Sequence, residues 1–222
     1  MVVIEERPLV KYTPFVTWAL LAINIIVFLF EMNYPQILDT FAYVPAYLLE
    51  GDFSLIGYGV ITIFTSMFLH ADIIHLFSNM YALWVFGDDA ENVYGRGYFI
   101  LFYLICGVGA SLLYTLTTLS PYTPVVGASG ALFGVMAAYA IFFPMRRLYI
   151  WLRFAFIPLP AIIYVLMYAG FEVLYTFSGI NPYIAHTAHI GGLITGAFLS
   201  LIFRATAKPR IYSSRRRQSR YS

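Results

Sequence analysis

The chain has 222 residues, of which 61% are hydrophobic and 11% charged, against about 25% charged in an average soluble domain. That balance excludes a water-soluble globular domain and points to a polytopic membrane protein. The net charge of +2 is unevenly spread: seven of the thirteen basic residues lie between Arg204 and Arg220. A basic segment just after a membrane span marks the cytoplasmic side, so the tail is not read as a nucleic-acid site.

Apolar runs of about 20 residues can each cross a hydrocarbon core of roughly 30 Å. Six are predicted, at approximately 14–32, 73–88, 98–118, 126–143, 154–177 and 185–204. The expected fold is all-α, a six-helix bundle over 1–204, followed by a basic, solvated tail at 205–222. The first run follows Glu5, Glu6, Arg7, Pro8 and Lys11 without a small-residue cleavage site, and is read as a retained helix. The connection 33–57 carries Pro35, Pro45, Gly51 and aromatic pieces suited to the membrane interface. Residues 58–70 read as a short helix or an interfacial approach to the second span. Cys106 is the single cysteine and forms no intramolecular disulfide.

Orientation follows from Arg146, Arg147 and Arg153 between spans four and five, from the basic tail, and weakly from Arg7 and Lys11. The positive-inside rule places both termini in the cytoplasm. Spans two, four and six then enter from the outer face. His75 and Asn79, Ser129, and His189 each lie within about two turns of an outer end, roughly 11 Å. Polar groups inside a membrane are costly unless they meet partners or water.

The central motif is Gly127-Ala128-Ser129-Gly130 with Phe133 and Gly134. Alone, such a run reads as helix packing. The second motif runs Ala185-His186-Thr187-Ala188-His189-Ile190-Gly191-Gly192. His189, Gly192, Gly196 and Ser200 form one stripe, and Gly130, Gly134 and Ala138 form another. Contact between these stripes would set His189 beside Ser129. Histidine, with a pKa near neutrality, can take the serine proton. The oxyanion needs donors, which His75, Asn79 and the Ser129 N–H would supply. Phe133, one turn after Ser129, is placed to pack on the imidazole. Asp72 is read as the N-cap of span two. No acid is evidently placed to orient His189, so a Ser–His dyad is favoured over a triad. Glu172 is an intramembrane acid without an assigned partner, and His186 is read as structural or supporting.

These motifs, with Phe68-Leu69-His70 through His75 to Asn79-Met80 and Glu91 to Gly95, resemble the rhomboid intramembrane serine proteases. The resemblance implies hydrolysis of a peptide bond in or near a substrate's transmembrane segment. It implies Ser129 as nucleophile, His189 as base and then acid, and an oxyanion hole of His75, Asn79 and the backbone at Gly127 and Ser129. His70 would stand near the mouth of the site, Phe133 beside the catalytic imidazole, and Glu91 in a structural place. Substrate would enter sideways from lipid between spans two and five. The 33–57 loop lacks the Trp-Arg pair that some family members carry.

The expected partners are therefore transmembrane substrates and the lipid bilayer of a cell membrane, with the active site toward the outer leaflet. No cofactor is implied, and no HExxH run is present to hold a metal. The rival readings are a non-catalytic binder of membrane segments and a His-lined transporter.

Overall fold

A computed structural model describes residues 3–5, 13–50, 53–152, 155–179 and 184–206. Glu6, Arg7, Pro8, Lys11, Gly51, Arg153 and the basic tail from 207 onward lie outside the described residues, and with them most of the charges used to argue orientation.

The first long helix, α1 (Phe15–Asn33), begins after Pro14, which offers its first turn no side-chain cap. The cap comes from another helix. The Glu91 carboxylate accepts the N–H groups of Val16 at 3.0 Å and Thr17 at 2.8 Å, and the Thr17 hydroxyl at 2.9 Å. A carboxylate there meets both the orphan donors and the positive end of the helix dipole. Two short helices follow, α2 (Gln36–Phe41) and α3 (Ala46–Leu49), then α4 (Phe53–Ser66).

Helix α5 (Ile73–Tyr94) is capped by Asp72, whose Oδ1 accepts from the N–H groups of Ile74 and His75, both at 2.8 Å. The chain then turns at Gly95, whose φ of 79° suits glycine, into α6 (Arg96–Thr117). Helix α7 (Ser129–Phe142) is central: every residue from Gly130 to Ala140 is buried. It packs on α5, α6, α8 (Ala161–Ser178) and α9 (His186–Thr206).

Among the described residues, four helices, α1, α6, α8 and α9, are individually long and apolar enough to cross a membrane. The second and fourth expected spans fall on α5, which carries Asp88, Asp89 and Glu91 toward its C-terminal end, and on α7. At 14 residues, α7 is about 21 Å long, and protein surrounds it. The chain is a multi-pass membrane protein.

One boundary differs from expectation: the fifth span starts at Ala161 and not at 154. The fold is mostly helical, with one small sheet beside the helices. Residues 147–160 form a hairpin of β2 (Arg147–Leu152) and β3 (Ala155–Pro160), with β1 (Val3–Glu5) completing an antiparallel sheet in the order β1-β2-β3. Pro158 and Pro160 explain the late helix start, since a helix interior cannot accommodate them. In β2 the apolar alternation has a period of two: Leu148 and Ile150 are buried, and Trp151 is exposed.

Close approach holds α6, α7 and α9 together. A Cβ on Gly192 would overlap the Gly130 carbonyl, and one on Gly196 would overlap the Gly134 backbone. A Cβ on Gly134 would come within 2.5 Å of the Cys106 sulfur in α6 and 3.1 Å of the Gly192 carbonyl oxygen in α9. Such contact substitutes dispersion and fit for the hydrophobic drive that lipid does not provide.

Candidate active site

The loop leading into α7 is fixed from two sides. Tyr43, just after α2, pairs with Val125 through both backbone groups, at 3.0 and 2.8 Å. The Gly127 N–H donates to the Ser66 carbonyl at the end of α4, at 2.9 Å. Gly127 has a φ of 125°, a conformation side-chain residues rarely adopt. Ser129 follows as the first residue of α7.

His189 lies in the first turn of α9. The glycine contacts between α7 and α9 carry its ring to the serine: Nε2 is 2.8 Å from Ser129 Oγ. Phe133 stacks on the imidazole with centroids 4.3 Å apart and planes 12° from parallel. The ring is thus held on its face by Phe133 and at its edge by Ser129.

The third element is α5. A Cβ on Gly127 would lie 2.7 Å from His75 Nε2 and 3.5 Å from Asn79 Nδ2. Both side chains therefore border the loop preceding Ser129, and glycine leaves them room. Asn79 Nδ2 is buried without a hydrogen-bond partner. An unused donor of that kind costs on the order of 1–3 kcal/mol unless something occupies it. The first N–H groups of α7 also lack intrahelical acceptors, and the helix dipole adds positive potential there.

His70 is fully buried in the turn between α4 and α5, with its ring centroid 5.1 Å from that of His75. Its backbone N–H donates to the Glu31 carboxylate of α1, at 3.3 Å. Burial, reinforced by His75, pushes its imidazole down to about 4.

The expectation that no acid stands near His189 is corrected. Glu172 Oε2 is 2.6 Å from His186 Nδ1 and 3.0 Å from His189 Nδ1. The His186 contact is a hydrogen bond. The His189 contact is an ion-pair distance only, since its Nδ1 has no hydrogen-bond partner. The signal for this was present in the topology. Helices α8 and α9 run antiparallel, so an acid near the C-terminal end of α8 meets residues at the start of α9.

The arrangement is that of a hydroxyl paired with an imidazole, an acid behind the imidazole, and unsatisfied donors beside the hydroxyl. A family model, the Rhomboid domain, matches residues 57–206. The chain belongs to the rhomboid family.

Among its rhomboid relatives, Rhomboid protease GluP of Bacillus subtilis is 37% identical over 134 residues, 60% of this chain and 24% of that protein. Rhomboid protein 1, mitochondrial, of Saccharomyces cerevisiae is 31% identical over 202 residues, 87% of this chain and 55% of that protein. RHOMBOID-like protein 12, mitochondrial, of Arabidopsis thaliana is 33% identical over 152 residues, 61% of this chain and 44% of that protein. The chain thus spans between about a quarter and just over half the length of these rhomboids. They include a named protease and mitochondrial rhomboid-like proteins.

Proposed function

We propose that this rhomboid is an intramembrane serine endopeptidase that hydrolyses peptide bonds in or near the transmembrane segments of its substrates. The observation that carries the reading is the 2.8 Å contact between His189 Nε2 and Ser129 Oγ. A hydroxyl is a weak nucleophile until a base takes its proton, and this distance is within proton-transfer reach.

The chemistry follows in two halves. Ser129 Oγ attacks the scissile carbonyl carbon as His189 Nε2 takes its proton. The carbonyl oxygen becomes an oxyanion, received by Asn79 Nδ2, the Ser129 N–H and His75. The intermediate collapses, the C–N bond breaks, and His189 returns the proton to the leaving amine. Water then attacks the Ser129 ester, with His189 again as base, and releases the acid product. Glu172 sits where a negative charge stabilises the imidazolium formed in each half. A donor set arranged in advance needs no reorganisation as the oxyanion charge develops.

The positive-inside argument from Arg146, Arg147 and Arg204 supports cytoplasmic termini and a site opening toward the outer leaflet. A cell membrane is the proposed location. The lateral entry of substrate between α5 and α8 follows the family resemblance.

A fluorophosphonate probe tests the assignment of the nucleophile. It is expected to label the wild type and to leave Ser129→Ala unlabelled; equal labelling of both would refute Ser129 as nucleophile.

A further inference from the structure

Behind His189 lies a donor set that peptide hydrolysis does not require in full. His186 and His189 are three residues apart in α9, so their rings share one face. Glu172 of α8 faces both. The carboxylate oxygen and the two Nδ1 atoms all lie within 4.8 Å of one another. His189 Nδ1 is buried and makes no hydrogen bond, and the Glu172 carboxylate oxygen stands 3.0 Å from it.

Two imidazole nitrogens and one carboxylate oxygen make the protein share of an open tetrahedral zinc site, with the fourth place left to water. With bonds of about 2.1 Å, the edge of such a tetrahedron is roughly 3.4 Å. The carboxylate oxygen now stands 2.6 and 3.0 Å from the two nitrogens. To admit an ion the carboxylate oxygen needs to move about 0.8 Å away from His186 Nδ1 and about 0.4 Å away from His189 Nδ1. Nitrogen donors select zinc-like cations over magnesium or calcium, which prefer all-oxygen shells.

We propose that Glu172, His186 and His189 form a site for a zinc-like divalent cation, and that its occupancy switches the Ser129–His189 pair off. The metal takes the lone pair of His189 Nδ1. The ring proton then resides on Nε2, which no longer has a lone pair to accept the Ser129 proton. No electrons are transferred; one proton moves from Nδ1 to Nε2. The binding half stands independently, and the inhibitory half rests on the proposed protease function.

The binding half is tested on tag-free Ser129→Ala protein in detergent, titrated with Co2+ as a spectroscopic probe. The expected result is visible d–d bands of a tetrahedral site that saturate and are bleached by Zn2+. They should vanish in Ser129→Ala carrying His186→Gln or Glu172→Gln. Absence of saturable bands, or unchanged bands in the His186→Gln protein, overturns the site. X-ray absorption of Zn2+ on Ser129→Ala gives a reading independent of how the double variants fold. Imidazole outer-shell scattering supports the site, and its absence overturns it. For the switch, saturating Zn2+ should slow fluorophosphonate labelling of the wild type at least tenfold, with recovery on adding EDTA. An unchanged labelling rate overturns the switch and leaves the nucleophile assignment intact. Failure to label under any condition contradicts the protease reading, while the Co2+ bands still report on the metal site.

Discussion

Gly192 of α9 lies so close to Gly130 of α7 that a Cβ on Gly192 would overlap the Gly130 carbonyl oxygen. This contact joins packing to chemistry, because it sits one turn beyond His189 on one helix and beside Ser129 on the other. Gly192→Val should force the two helices apart and cost about 1–3 kcal/mol of stability. A misplacement of about 1 Å at a catalytic pair lowers rates by roughly 10²-fold. Probe labelling of this variant should therefore fall by a larger factor than a thermal-unfolding assay in detergent would suggest. Labelling at the wild-type rate would show that the close approach does not set the geometry.

Glu172 faces His189 without forming a hydrogen bond to it. Its contribution should accordingly be smaller than that of a fully engaged third member of a triad. Glu172→Gln is expected to lower kcat by about 10- to 100-fold, at or below the lower end of the roughly 10²–10⁴-fold that general acid–base groups contribute, with KM nearly unchanged. A steady-state assay on a transmembrane reporter separates the two parameters. A large rise in KM alone would assign Glu172 to substrate binding.

The Arg146 guanidinium and the Asp89 carboxylate form a buried ion pair that ties the end of α7 to α5. Arg146 also stands over the Phe143 ring, 5.0 Å from its centroid. Arg146→Leu leaves a buried carboxylate unpaired, which should cost about 3–5 kcal/mol. Adding Asp89→Asn should restore much of the loss. Thermal unfolding of the single and double variants checks this, and additive losses would contradict the pairing.

His70 gives a pH dependence. Its imidazole is held down to about 4, whereas in the unfolded chain it titrates near the ordinary histidine value of 6.5. Between those values the unfolded state binds more protons, so stability rises with pH across the window. The contribution is complete above pH 6.5 and is lost as pH falls toward 4. Integrated, it amounts to at most about 3–4 kcal/mol. The melting temperature of the wild type should drop more steeply over this range than that of His70→Gln. Parallel curves would show that His70 is not responsible.

Much of this molecule was legible in its sequence because glycine and histidine are informative in an apolar background. The two small-residue stripes predicted which helices touch, and α7 and α9 do meet along Gly130, Gly134, Gly192 and Gly196. Asp72 was readable as a cap because its carboxylate immediately precedes the helix it serves. The capping of α1 by Glu91 could not be derived from local pattern, since the acid lies on a different helix. The β2–β3 hairpin was hidden by hydrophobicity: its residues are as apolar as a span, and Pro158 and Pro160 were the missed signal. Glu172 was overlooked because a distance along a helix becomes a depth only when the helix direction is taken into account.

The central claim is that Ser129 and His189 together hydrolyse a peptide bond within the membrane. The most direct measurement uses a transmembrane reporter co-reconstituted with the protein in liposomes, with N-terminal sequencing of the released fragment. The account predicts one new N-terminus from the wild type and no fragment from Ser129→Ala or His189→Ala. The same fragment appearing at a similar rate with Ser129→Ala would contradict it.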